Sequence, residues 1–463
     1  MTLRKNKKQV RELALFPEEA PLAEAPLAET AEEPAGDNAP AAPAGERDGQ
    51  FYAELLEFAV SLANKLQACG AETYRVEETL SRIIEAYGVK KTDSFVIPSC
   101  IMASLETEDG QVLTKIRRLK SGETLIDGIE RYIALSRRIC AEKPSMREAR
   151  RLLRETERSV RRYGPLVYFL SAFFIGFGFG VFFGGTLLEA LSAAICGVCT
   201  AAAVRFMGKL NANAFFSSFV CSFILGFIAN TLTAAGLGRN ADVATIGAMM
   251  MLVPGFLFTN SLRDVIYGDT MSGVNRLVQV LLIAVALVIG TSAGVSLARQ
   301  LFPGVVTGLT PIQYPLWVQT AAGVVGTLGF GLMFNLHGRG IPLALLGSGI
   351  SWVVCSLCMR LGLNEPVCYL IAAAASSFYA EVMARIRKFP ATGYLLCALV
   401  PLIPGAGIYY TMDFLRRGMT AEAYAKGMAT ASIAGAMAIG VLLFSTAFRM
   451  WRIWSSKRKK NKD

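Results

Sequence analysis

Two Pro-Gly pairs, Pro254-Gly255 in LVPGFLFTNSLRD and Pro404-Gly405 in LIPGAGIYYTMDF, stand in apolar sequence 150 residues apart. Proline removes a backbone donor and glycine adds flexibility, so each pair costs roughly 3–4 kcal/mol against an alanine-like helix. Each proline is expected to release the carbonyl four residues back, Met250 in one case and Val400 in the other. Freed carbonyls can hold an ammonium group, and half-helix N-termini can hold a carboxylate. The pair suits a small zwitterion or an organic anion. Met250, Pro254, Gly255 and Asn260, with Val400, Pro404 and Gly405, are therefore the candidate substrate cradle. A packing kink is the plainer reading of the same residues.

Polar residues with helical spacing extend the candidate site. Ser218, Ser222, Gly226 and Asn230 recur every fourth residue, as do Tyr369, Ala373, Ser377 and Glu381, so each set stays near one helix face. Ser222, Asn230 and Ser377 join the substrate-binding candidates. A carboxylate inside a span usually faces a pathway, which makes Glu381 the candidate coupling group, with a snorkelling structural role as the alternative. Asp264 and Asp413 follow the breaks by nine or ten residues, about 15 Å along a helix, and should lie near opposite mouths. Those two and Arg263 read as gating residues or as ordinary interfacial helix ends.

Other chemistries lack their residues. His337 is the single histidine, and residues 51–163 contain none, which excludes a Ser-His-Asp triad and a His-based zinc site there. No Walker A or Rossmann glycine pattern stands between a strand and a helix. Cys196-x-x-Cys199 and Cys355-x-x-Cys358 lie in apolar runs and read as small packing residues, and all ten cysteines read as reduced thiols. No metal, cofactor, nucleic-acid partner or enzyme activity is expected.

The elements that must position these residues are membrane helices. The 463 residues are 53% hydrophobic. From Pro165 onward the apolar runs reach the 20 or so residues that a bilayer needs. About ten spans are expected, near 165–184, 186–204, 213–235, 242–261, 276–298, 315–336, 341–359, 365–384, 391–412 and 425–448. The net charge of +11 brackets them: Lys143 to Arg162 holds eight basic residues and the tail from Arg449 holds seven. Such clusters set topology and meet anionic headgroups, and with the loop charges they place both termini in the cytoplasm. No secretory signal is read in MTLRKNKKQVRE.

Sliding the chain on itself by 150 or 151 residues aligns GFGVFF at Gly178 with GFGLMF at Gly329, Gly226 with Ser377, Ala241 with Ala391, and Gly268 with Gly418. Five spans per half is an odd number, so the second half should enter the membrane upside down. That arrangement is an inverted-topology repeat, common in secondary transporters. The expected organisation is a basic then Pro/Ala/Glu-rich disordered arm over 1–50 and a cytoplasmic α/β domain of order ααβββαα over 51–163. The two five-helix repeats follow over 164–300 and 312–454, with a basic tail over 455–463. The fold class is an all-α polytopic membrane protein carrying that small α/β domain.

CGAETYRVEETLSRIIEAYG followed by SFVIPS, then GAMMMLVPGFLFTNSLRDVIYGDTMSG and KFPATGYLLCALVPLIPG, resemble the threonine/serine exporter family in its fused form. The resemblance runs from about residue 51 to 448 and implies secondary-active, proton-driven export of a small polar metabolite across the inner membrane, threonine or serine first, with the substrate left open. Split relatives imply a succinate-type dicarboxylate as the alternative substrate. A membrane-anchored hydrolase or sensor, with 51–163 as its working domain, is the alternative of another class.

Overall fold

The computed structural model describes residues 49–119, 122–303, 310–387 and 391–460. The arm expected over 1–50 lies outside the described residues, apart from Gly49 and Gln50.

The first part of the chain builds its own core. Helix α1 (Gly49–Ala68) is closed by Gly70, whose φ of +81° reverses the chain into α2 (Thr73–Ala86). Strands β1 (Thr92–Ile97), β2 (Cys100–Glu106) and β3 (Val112–Arg118) form an antiparallel sheet in that order. Helix α3 (Ile126–Glu142) follows, then α4 (Met146–Ser159), where the Glu148 N–H donates to the N-cap hydroxyl of Ser145 at 3.3 Å. Leu55, Leu62, Leu80, Ile83, Ile101 and Leu105 are fully or almost fully buried between the helices and one face of the sheet.

Apolar helices follow: α5 (Pro165–Phe182), α6 (Leu187–Lys209), α7 (Ala214–Ala234), α8 (Ala241–Met249), α9 (Gly255–Tyr267) and α10 (Thr270–Leu301). A second set comprises α11 (Leu316–Met333), α12 (Gly340–Arg360), α13 (Glu365–Arg387), α14 (Ala391–Leu399), α15 (Gly405–Arg416) and α16 (Thr420–Lys460). Eight of these are long and apolar enough to cross a bilayer singly, so the chain is a multi-pass membrane protein. The stretches expected as single spans at 242–261 and 391–412 are instead two short helices each, parted at the Pro-Gly pairs. The second pair, Ala391–Leu402 with Gly405–Leu415, bends by 45°. Proline cannot donate at these positions, so the helix restarts one residue later.

Lengths recur in order through the two sets. Helices α5 and α11 have 18 residues each, and α8 and α14 nine each. Packing recurs too. Gly290 on α10 meets the Phe219 carbonyl and Ser222, and Gly440 on α16 meets the Leu370 carbonyl and Ala373. Those partners are separated by the same 150 or 151 residues.

The N-terminal elements dock on one end of this bundle. The Ile126 N–H donates to the Phe334 carbonyl at 2.9 Å, and the Tyr163 N–H to Asn335 Oδ1 at 2.7 Å. His337 stacks on Tyr163 with ring centroids 4.1 Å apart, which gives the single histidine a docking role. The Ile126 side chain enters the core of the second helix set beside Leu336 and Tyr394.

Candidate functional site

The two breaks meet. A methyl group added to Gly255 would run into Ile403 Cγ2, and one added to Gly405 would lie 3.1 Å from Met250 Sδ and 3.2 Å from Val253 Cγ1. Glycine is what lets the two restarting helices come this close. Their caps share one backbone conformation, with φ −80° and ψ 41° at Pro254, and φ −76° and ψ 45° at Pro404. Met250 and Val400 are both buried, in one cluster with Ile175, Phe179 and Phe330.

The carbonyl arithmetic differs from the sequence expectation. The Val400 carbonyl is not released, because it accepts from the Ile403 N–H at 3.3 Å within a short 3-10 turn, Val400–Leu402. Pro401 lies in the first turn of that 3-10 segment, and the tighter i to i+3 bond replaces the helical one that Pro404 removes. At the first break the turn closes on Met249, whose carbonyl accepts from Leu252 at 2.8 Å and Val253 at 3.0 Å.

On the side of the N-terminal elements lies a cleft of about 1030 Å3, walled by α2 and α3 opposite α13, α14 and α16. Ser377 and Glu381 of α13 line it, as does Arg263 of α9. Ser377 Oγ donates to the Val441 carbonyl at 3.0 Å, and Arg385 lies over the Phe448 ring at 4.0 Å. A buried ionic chain runs behind this wall. Glu72 accepts from Arg263 at 2.9 Å and from Arg75 at 3.2 Å; Asp264 pairs with Arg276 at 2.7 Å; and Arg276 donates to Thr73 Oγ1 at 3.2 Å. Burial pushes the Glu72 carboxyl up, but Arg263 and Arg75 outweigh it and hold the group well below the usual carboxylate range.

At the other end, Asp413 pairs with Arg417 at 2.6 Å beside a pocket of about 40 Å3 that Asp242, Thr245, Thr291 and Tyr409 also line. Asp264 and Asp413 thus lie in separate polar clusters, one with the N-terminal elements and one without. The remaining candidates lie within helix contacts. Ser222 Oγ donates to the Phe219 carbonyl at 3.1 Å and the Ala286 carbonyl at 3.4 Å. Asn230 Nδ2 donates to the Gly226 carbonyl at 2.9 Å, and Asn260 sits in the second turn of α9.

Sequence reasoning passed over Glu189, a buried carboxylate that accepts from the Arg239 N–H at 2.7 Å and the Asn240 N–H at 3.2 Å. Those bonds make it a loop clamp. It also missed Glu72 as the partner of Arg263, and Thr392, a buried threonine on the cleft wall. No metal-ligating cluster occurs among the described residues, and their cysteines are free thiols.

Comparison with known proteins adds independent findings. Residues 57–298 match the family model described as "Putative threonine/serine exporter", and residues 319–447 match "Threonine/Serine exporter, ThrE". The chain is 23% identical over 417 residues to a "Threonine/serine exporter" of Corynebacterium glutamicum, covering 87% of this chain and 84% of that protein. It is 22% identical over 379 residues to a "Probable threonine/serine exporter" of Mycobacterium tuberculosis, covering 79% and 70%. No solved structure matches the chain.

Proposed function

The chain belongs to the threonine/serine exporter family, and from that premise we propose that it is a secondary-active exporter of threonine and serine, driven by protons. It is a membrane transporter and not an enzyme. The observation that carries the mechanism is the meeting of the two Pro-Gly breaks between the large cleft at one end and the small polar pocket at the other. In our reading the two helix sets are inverted repeats in the inner membrane, with both termini cytoplasmic, and the cleft is the cytoplasmic entrance.

Substrate enters the cleft and reaches the paired half-helix N-termini of α9 and α15, whose first-turn N–H groups lack helical partners and attract a carboxylate. Rocking one set against the other then exposes the breaks to the Asp413 side. Two things support this: irregular backbone inside a bilayer is kept where it lines a pathway or is buried in protein, and the breaks sit where both sets touch. Glu381 is the proton carrier, because it lines the cleft from within a span.

The test is counterflow and gradient-driven efflux of labelled threonine, serine and succinate from proteoliposomes. Threonine and serine should exchange while succinate does not. Glu381→Gln should depress proton-driven efflux by an order of magnitude or so and leave counterflow largely intact, since exchange needs no net proton movement. Equal efflux in the variant removes Glu381 from coupling, and absent counterflow of both amino acids sinks the exporter reading.

A further inference from the structure

Two residues that line the cleft each carry a buried polar atom that makes no hydrogen bond among the described residues: Arg263, at Nη2, and Thr392, at Oγ1. Arg263 is 8% exposed and Thr392 5%. A buried polar group without a partner forfeits about 1–3 kcal/mol, and a charged one more. Such groups persist where something outside the chain reaches them. Arg263 is firmly held all the same. Its Nη1 is bonded to Glu72 Oε1 at 2.9 Å, and Asp264 Oδ1, 3.8 Å from Nη2, is beyond hydrogen-bond reach. One edge of the guanidinium is fixed and the other is left unmatched.

The unmatched atoms come from different helix sets. Arg263 stands on α9, two turns past the first break, and Thr392 in the first turn of α14, twelve residues before Pro404 of the second. The cleft between them has room for an amino acid and its water. Its lining mixes signs, with Glu78 and Glu381 among Arg82, Arg137 and Arg385, which suits a zwitterion better than a polyanion.

We propose that the cleft holds a binding site for the carboxylate of a small α-amino acid, in which Arg263 Nη2 donates to the carboxylate, Thr392 Oγ1 donates a second hydrogen bond, and Glu72 is the positioning residue that aims the guanidinium. The proposal rests on the exporter reading and gives the N-terminal elements a share in substrate recognition. The site precedes the breaks on the route of export: the substrate is gripped by both helix sets, with Glu72 at the start of α2 holding Arg263 in place, before it moves inward.

The experiment uses the full chain in lipid nanodiscs, with L-threonine and L-threoninamide as probes and the melting temperature measured in parallel. Thr392→Val deletes a hydroxyl that makes no hydrogen bond among the described residues, so its melting temperature should equal or exceed that of the parent. Its threonine affinity should nevertheless fall about tenfold, the loss of a hydrogen bond to a charged group. Arg263→Lys keeps the charge beside Glu72 but lacks the second edge, and should weaken threonine binding at least as much. Glu72→Gln should weaken it too, although Glu72 does not touch the ligand. Threoninamide should bind the parent weakly and lose nothing further in Thr392→Val. Unchanged threonine affinity in both Thr392→Val and Arg263→Lys overturns the site, while parental counterflow leaves the exporter reading standing. Equal losses for threonine and its amide also overturn it, because the effect would then lie away from the carboxylate. Absent counterflow by the parent fells both readings together.

Discussion

At the scale of single residues, the docking of α3 carries its own pH dependence. Burial first, and then the neighbouring carboxylate of Asp127, push Glu130 up to about 7 from an ordinary 4.5, against the opposing charges of Arg131 and Arg387. Glu130 lies next to Gly393 of α14, and the phenol of Tyr394 belongs to the same charge environment. Between those two values the folded protein keeps a proton that the unfolded chain releases. Stability therefore falls as pH rises from about 4.5 to about 7, and the contribution is gone above that. Glu130→Gln carries no charge to bury, so it should melt like the parent at pH 5 and higher than the parent at pH 8. Melting curves at matched scan rates across that range decide it, and parallel curves for the two proteins would refute the assignment. None of this was legible in the sequence, which marks Glu130 as one more exposed helix acid. Glu72 stands at a helix start, and its partner Arg263 is 191 residues away. No local spacing encodes such a pair, and Thr392 has no local signal at all.

At the scale of elements, the helices were the most legible part. Long apolar runs admit one structure in a bilayer, and Gly70 and Gly88 announce the ends of α1 and α2. The breaks themselves were legible because Pro-Gly has no other use in such sequence. Their detail was not: Pro401 and the 3-10 turn keep Val400 occupied, since a carbonyl can find a donor three residues on as well as four. This separates two substitutions. Pro254→Ala lets the helix run on and should leave the melting temperature unchanged while impairing transport, because the half-helix N-terminus disappears. Gly255→Ala keeps the break but drives a methyl into Ile403, so it should cost about 1–3 kcal/mol by overpacking. Adding Ile403→Ala should recover part of that loss, with a coupling energy above about 0.5 kcal/mol for residues in contact. Additive effects in this double-mutant cycle would mean that the two breaks do not touch, and transport at parental rates in Pro254→Ala would reduce the first break to a packing feature.

At the scale of the whole molecule, the inverted repeat and the cytoplasmic docking of the N-terminal elements stand or fall together. Those elements bond to α9 and α10 of the first set through Arg263 and Arg276, and to the α11–α12 connection of the second through Phe334 and Asn335. A single end of the bundle therefore presents helix termini from both sets. The basic stretch Lys143 to Arg162 lies on the approach to that end, which is the cytoplasmic one in the proposed orientation. Lys209 ends α6, and its counterpart 151 residues on, Arg360, ends α12; both are exposed. In an upright repeat the two would face the same compartment, and in an inverted one they face opposite compartments. The native thiols of Cys100, Cys140 and Cys199, which are only half-buried, are first replaced by serine. Single cysteines at 209, 239 and 360 are then labelled in intact cells with an impermeant maleimide. Positions 239 and 360 should react from outside, and position 209 only after the membrane is opened. Reaction of 209 and 360 from one and the same side would make the repeat upright, and the two Pro-Gly half-helices could not then face each other across a common pathway with opposite polarity.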